Sequence, residues 1–232
     1  MGCSNNCDIK QSCLSRVPLF KGLDLKAIHT LQSATESHTF HKGNYIFQEG
    51  DISNGLFVVK KGLVKLFKLS ADGKEQIIRL LFPGDFLGQF ALLQNDVHYA
   101  NAEVLEETVI CIIAKDTFIE ILEENPKMSL QLITTLNTLL MTADEWMTAL
   151  SLMDVEKRLA KIILLFFHKI ETEDDYFTLP ISKRDLASML GTTPETVSRK
   201  LFSFADRQLI QLKNRRDIRV VDSTKLTAIA EI

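Results

Sequence analysis

Leu190-Gly191-Thr192-Thr193-Pro194-Glu195 stops one helix and starts another within a few residues, and few folds accommodate such a corner. Upstream, Ser182 is placed to cap a helix, Asp185 supports its first turn, and Leu186, Ala187 and Leu190 form its apolar face. Gly191 suits the left-handed residue that follows a helix. Thr193 caps the next helix, and Pro194 takes its first position, where a missing N–H costs nothing. Val197, Leu201 and Phe204 then recur at inward spacing, while Glu195, Ser198 and Arg199 face the other way. The predicted unit is helix, tight turn, helix, with a polar face at the second N-terminus. Residues 209–213 and 218–221 read as strands of a basic hairpin that follows it.

Charge singles out the same region. Residues 180–220 hold nine cations (Lys183, Arg184, Arg199, Lys200, Arg207, Lys213, Arg215, Arg216 and Arg219) and four acids, Asp185, Glu195, Asp206 and Asp217. That stretch is therefore +5 in a chain of net charge −3, and the remainder is −8. A basic lobe on an acidic body suits a local polyanion surface; a solvated charged face is the plainer alternative. The second helix carries side chains fit for base edges. Arg199 can donate twice to guanine, Glu195 can accept from cytosine, and Ser198 can serve thymine or a phosphate. Thr193, Thr196 and Lys200 complete the candidate DNA-binding set. The competing reading of Glu195 and Arg199 is an i,i+4 surface pair.

The rest of the chain divides by period. Residues 1–17 are polar and cysteine-rich, and a short helix is expected from Asp24 with Leu25, Ile28 and Leu31 on one face. From Phe40 to Ile113 short apolar runs alternate with glycine turns, and Asp72-Gly73 marks a hairpin, as in a jelly roll or barrel. Pro126 restarts a long helix reaching about residue 152. In it Ile133, Leu140 and Met147 form one seven-residue row and Leu136, Ala143 and Leu150 another, a seam suited to a second helix. The expected fold class is α+β: an N-terminal jelly-roll sensor domain (18–124) behind the Cys-rich segment (1–17), a long dimerisation helix (125–153) and a C-terminal winged helix-turn-helix (154–232). A buried helix over 155–170 and an exposed acidic loop over 171–175 open the last of these.

The longest apolar run, Ile162 to Phe167, is far short of a membrane span of about 20 residues, and no export signal opens the chain, so a cytoplasmic protein with no membrane partner is expected. Met1-Gly2 hints at a myristoylation signal, but Asn6 stands where that motif needs Ser or Thr. Such a protein seldom uses clustered cysteines as structural disulfides, so Cys3, Cys7, Cys13 and Cys111 point first to metal or redox chemistry. Zinc, a dithiol–disulfide switch, and a plain core role for Cys111 beside idle tail cysteines stay open. His29, His38, His41, His98 and His168 show no metal-ligand spacing and are expected at the surface. No nucleophile–base pair, phosphate loop or zinc-protease motif marks an enzyme. A β-roll that gates a protein partner is the competing non-enzyme class.

The run Glu195-Thr196-Val197-Ser198-Arg199, the turn glycines and the long helix resemble the Crp/Fnr family of bacterial regulators, over nearly the whole chain. Ser198 resembles the Fnr-like branch, where the cyclic-AMP branch usually has Gly. The resemblance implies a cyclic-nucleotide-binding-like β-roll and a homodimer that reads a TTGAT-like half-site in an inverted repeat of double-stranded DNA through Glu195, Ser198 and Arg199. It also implies RNA polymerase as a partner. It implies a [4Fe-4S] cluster held by Cys3, Cys7, Cys13 and Cys111, although three residues separate Cys3 from Cys7 where the pattern has two. In the cyclic-nucleotide pattern a ribose-binding acid and a phosphate-binding Arg stand where this chain has Gln89 and Tyr99. No cyclic nucleotide is therefore expected to bind, and the two side chains are expected to fill the pocket. Where the Fnr pattern has an acid in the dimer helix, this chain has Ala143, so an apolar seam and a dimer independent of the cluster are expected.

Overall fold

The structure, a computed structural model, describes residues 17–231 apart from 22, 96, 171–175 and 215. Two compact units emerge, Met1–Leu140 and Met141–Ile232. Cys3, Cys7, Cys13 and the acidic loop lie outside the described residues.

In the first unit a 3-10 turn at Pro18–Phe20 leads to α1 (Leu25–Ser33), capped by Asp24, whose carboxylate accepts from the Ala27 N–H. Ala27 and Leu31 are buried, so the inner face lies around those two, with Ile28 half-exposed at its edge. Eight strands follow: β1 (Thr35–Phe40), β2 (Tyr45–Phe47), β3 (Gly55–Lys61), β4 (Val64–Leu69), β5 (Glu75–Leu81), β6 (Phe86–Leu87), β7 (Asn101–Val104) and β8 (Thr108–Ala114). They form two antiparallel sheets, ordered β1-β8-β3-β6 and β2-β7-β4-β5. This is the expected β-roll, and Asp72-Gly73 turns the β4–β5 hairpin as its sequence requires.

The roll has two cores. Phe47, Phe57, Val59, Leu66, Leu81 and Ile110 meet between the sheets. Leu56, Val58, Cys111 and Ile113 point out of the other face and are covered by Leu31, by Phe118 and Ile121 of α2 (Lys115–Glu124), and by Met128 and Leu132 of α3 (Pro126–Leu152). A strand buried on both faces loses polar alternation, which is why 109–113 is continuously apolar. Phe118 is wholly enclosed; truncating such a ring to Ala costs about 3–5 kcal/mol.

The long helix refines the expected seam. Ile133, Leu140 and Met147 are exposed, at 55%, 60% and 64% of their surface, and Leu130 and Met141 join them. Leu136 instead packs on the first unit's helix-side core, and Leu150 is half-buried. Ala143 is exposed with the Ile133 row, and Asn137 and Asp144 lie on the same surface, while Leu136 and Leu150 are half-buried. Ala143 and Asp144 lie side by side on the exposed surface of the helix.

In the second unit α4 (Val155–Lys169) is capped by Asp154 and buries Leu159, Ile162, Ile163 and Phe166. Buried Arg158 donates to the carbonyls of Leu150 (3.1 Å) and Met153 (2.6 Å), satisfying groups that the end of α3 leaves open. Then come β9 (Phe177–Thr178), α5 (Lys183–Leu190), α6 (Pro194–Asp206), β10 (Ile210–Leu212), β11 (Asp217–Val220) and α7 (Ser223–Ala230). The hairpin β10–β11 gains β9 as a third strand. No described helix is long and apolar enough to cross a membrane.

Candidate nucleic-acid interface

The α5–α6 corner is built as its sequence requires. Ser182 and Asp185 close a reciprocal capping box, each side chain accepting from the other's backbone N–H at 3.1 Å. Gly191 ends α5 at φ 63°, ψ 42°, the left-handed region that an L side chain enters only at a cost. The Thr193 hydroxyl accepts from the Thr196 N–H at 3.3 Å, and Pro194 opens α6. Val197, Leu201 and Phe204 are buried. Their burial fixes the rotation of α6, so Glu195 and Arg199 stand exposed at its N-terminal end.

Each polar residue there has a distinct environment. The Arg199 guanidinium donates to the Thr196 hydroxyl at 3.1 Å and, among the described residues, closes no ion pair with Glu195. The Glu195 carboxyl is held below the usual carboxylate range by its own backbone N–H, then by the Thr193 hydroxyl, with Arg199 contributing less. It is an acceptor at neutral pH. Ser198 is half-buried and accepts from the Lys183 ammonium at 3.2 Å. Lys183 therefore joins this face from α5, a position that helical spacing within α6 could not reveal.

Lys200 departs from the expected set. Its ammonium turns back onto Glu156 of α4 at 2.7 Å, beside Arg207 on the same carboxylate. These two cations hold the Glu156 carboxyl below its ordinary range. The i,i+1 step from Arg199 rotates Lys200 about 100° around the helix, away from the exposed face. In the hairpin, Arg216 donates to the Leu179 carbonyl at 2.7 Å and the Lys213 ammonium lies 5.6 Å from the Tyr176 ring. The exposed end of α6 beside this hairpin has the size and donor pattern to enter a major groove.

Cys111, the one described member of the cysteine set, is fully enclosed on β8, its sulfur 3.6 Å from the Ser37 hydroxyl. It shares its apolar cluster with Val17 and Leu19 at the start of the described chain and with Met128 and Leu132 of α3. Among the described residues no group of three or more His, Cys, Asp or Glu could hold a metal ion.

The β-roll recess departs from expectation. Phe47, Arg79, Gln89, Phe90, His98 and Tyr99 line an open space of about 300 Å³, counting the solvent at its mouth. Gln89 is buried, but Tyr99 is 40% exposed, lying edge-on to Phe90 with ring centroids 5.1 Å apart. With their neighbours they leave only about 20 Å³ of enclosed space, room for about one water. His98, expected at the surface, is buried and stacked on Phe47 at 3.5 Å; burial lowers its pKa. Sequence reasoning missed Arg79, which enters from β5, ten residues before Gln89, and donates to the Phe86 carbonyl at 2.7 Å. β5 reads Ile77-Ile78-Arg79-Leu80-Leu81 without alternation, and its pairing with β4 is irregular, so its period does not say which way Arg79 turns.

Residues 37–125 match the model of the cyclic nucleotide-binding domain, and residues 157–229 that of the Crp-like helix-turn-helix domain. The probable transcriptional regulator flp of Lacticaseibacillus casei is 30% identical over 219 residues, 94% of this chain and 98% of that protein. The anaerobic regulatory protein of Pasteurella multocida is 28% identical over 207 residues, 86% of this chain and 74% of that protein. Among solved structures, FixK2 from Bradyrhizobium japonicum superposes with a TM-score of 0.79 at 23% identity, covering 85% of this chain and 98% of that one.

Proposed function

Because the chain belongs to the Crp/Fnr family of DNA-binding transcription regulators, we propose that it binds an inverted-repeat operator as a homodimer and that its cysteines set operator affinity in response to oxygen or redox state. The arrangement that carries the DNA half of the reading is the end of α6, where Arg199 and ionised Glu195 are exposed and not closed on each other. The half-site is Fnr-box-like, TTGAT, read by Arg199, Glu195 and Ser198; Thr193 and Thr196 cap and position the helix. The exposed stripe of α3 is the dimer seam, and a two-fold dimer requires a palindromic site. RNA polymerase is the protein partner of this reading, and the cytoplasm its compartment.

The cysteine half rests on the surroundings of Cys111. Its thiol lies in the cluster that also takes in Val17, and Cys13 precedes Val17 by four residues, a reach of at most ~14 Å. A tail carrying Cys3, Cys7 and Cys13 can therefore bring thiols to the neighbourhood of Cys111. Four thiolates are the usual complement of a [4Fe-4S] cluster, and an apolar enclosure shields such a group from water. Cys3, Cys7, Cys13 and Cys111 would hold that cluster, which would supply an oxygen-sensitive bond between the tail and the body. The name of the P. multocida relative points the same way.

Protein purified without oxygen tests this reading. About four iron and four sulfide per protomer are expected, lost in Cys111→Ala. Zinc in place of iron, a Cys111 disulfide, or a brown chromophore that survives Cys111→Ala would contradict it.

A further inference from the structure

The exposed face of α6 carries one large side chain that hydrogen-bonded base reading does not use. Phe202 is 61% exposed, although Val197, Leu201 and Phe204 already fill the inward side of the helix. It stands three residues beyond Arg199 and four beyond Ser198, the spacings that bring helical side chains together on one surface. At about 100° per residue, Phe202 falls about 60° to one side of Arg199, with Glu195 about 40° and Ser198 about 100° to the same side. The ring is therefore framed by the groups that face a base edge. A phenyl ring there gains nothing from water and offers no hydrogen bond.

Its surroundings narrow what could cover it. The Lys183 ammonium, held on the Ser198 hydroxyl at 3.2 Å, lies 6.0 Å from the centre of the Phe202 ring. One flank of the ring thus faces a cation of α5, and the rest is open. A cation beside an apolar surface matches the edge of a major groove, where phosphates flank the bases. The one apolar substituent that a base presents in that groove is the thymine methyl. Along the helix axis Phe202 lies about 4.5 Å beyond Arg199, more than one base-pair step of about 3.4 Å. In TTGAT both neighbours of the G·C pair are A·T pairs, so each offers one such methyl.

We propose that Phe202 is a specificity residue that packs on the thymine methyl of a base pair beside the guanine read by Arg199. The inference rests on α6 as the DNA-reading helix and deepens that reading. It adds an apolar selection for A·T over G·C that the hydrogen bonds of Arg199 and Glu195 do not make.

Deoxyuridine scanning tests it, because deoxyuridine removes the methyl and keeps every hydrogen-bonding edge. Full-length protein purified without oxygen is titrated by fluorescence anisotropy, at fixed salt, onto a palindromic TTGAT duplex with one thymine per half-site replaced at a time. Replacement at one of the thymines flanking the guanine should weaken wild-type binding about fourfold per half-site, or about fifteenfold for the palindrome. Phe202→Ala should bind the thymine duplex at least as weakly and lose nothing more at that position. Phe202→Leu should keep part of the sensitivity, and neither variant should change the salt dependence or the unliganded unfolding midpoint. If wild type does not prefer TTGAT to a scrambled duplex, the half-site reading fails by itself, and the same scan is run on a duplex that wild type selects from a random pool. If no duplex is selected, both fall. Equal deoxyuridine losses in wild type and Phe202→Ala, or wild-type affinity in Phe202→Ala, would overturn the proposal. So would a Phe202→Ala dimer that dissociates in sedimentation, which would make the ring part of an interface between copies of the chain.

Discussion

At the scale of residues, Arg199 and Lys200 separate two roles that adjacent cations on one helix can play. Arg199→Ala should relax selectivity at one G·C pair per half-site by about 1–3 kcal/mol while leaving folding stability near wild type. Competition binding across single-base variants of the operator, at fixed salt, reads this directly. Lys200→Ala should do the reverse, leaving base preference intact and costing at most about 1 kcal/mol of stability, since its ion pair with Glu156 is partly exposed. The same carboxylate gives a pH signature. Its folded pKa is depressed, so its contribution is full above the ordinary value of 4.5 and is lost as pH falls from there through the folded value. Glu156→Gln should flatten that acid limb in urea titrations run from pH 7 to pH 3. The exposed residues of α6 were legible in the sequence because helical spacing separates Arg199 from Val197. The partners of Lys200, and of Ser198 with Lys183, were not, because they come from other helices.

At the scale of elements, caps and hydrophobic period carried most of the information. Ser182, Gly191, Thr193 and Pro194 mark ends of α5 and α6 by local stereochemistry alone. Ser182→Ala should cost about 0.5–2 kcal/mol, and Gly191→Ala about 1 kcal/mol from φ alone, as the nearest atom to an added Cβ is Leu150 Cδ2 at 3.7 Å; denaturant midpoints measure both. The two-residue β9 and the short α7 escaped because neither is long enough to show a period; each is defined by what it packs against. The seam of α3 was legible as a repeat but not in its rotation. The sequence reads both apolar rows as one seam, and only tertiary packing shows that Leu136 is drawn onto the core of its own unit. With Ile133, Leu140 and Met147 as the outward row, Leu140→Glu should convert dimer to monomer in sedimentation experiments. Asp144→Ala should tighten the dimer by removing like charges brought together across a two-fold axis.

At the scale of the whole molecule, the chain joins a β-roll with two buried faces to a winged helix-turn-helix, and α3 contributes residues to both units. The architecture could be read from turn glycines, the Pro126 restart and the α5–α6 corner. The chemistry of the roll was legible only in part: the family pattern placed Gln89 and Tyr99 at the recess, but Arg79 and His98 join them only through tertiary pairing. Cys111 lies on the roll face that α3 covers, so a change in what its thiol holds would be felt by the helix proposed to form the dimer. The most direct measurement is operator affinity, by fluorescence anisotropy at fixed salt, on one preparation of protein before and after exposure to air. A palindromic TTGAT duplex should be bound at least about tenfold more tightly than a scrambled duplex before exposure, with that preference largely lost in air alongside the iron. Equal affinity for both duplexes, or a preference that air and Cys111→Ala both leave unchanged, would contradict the account.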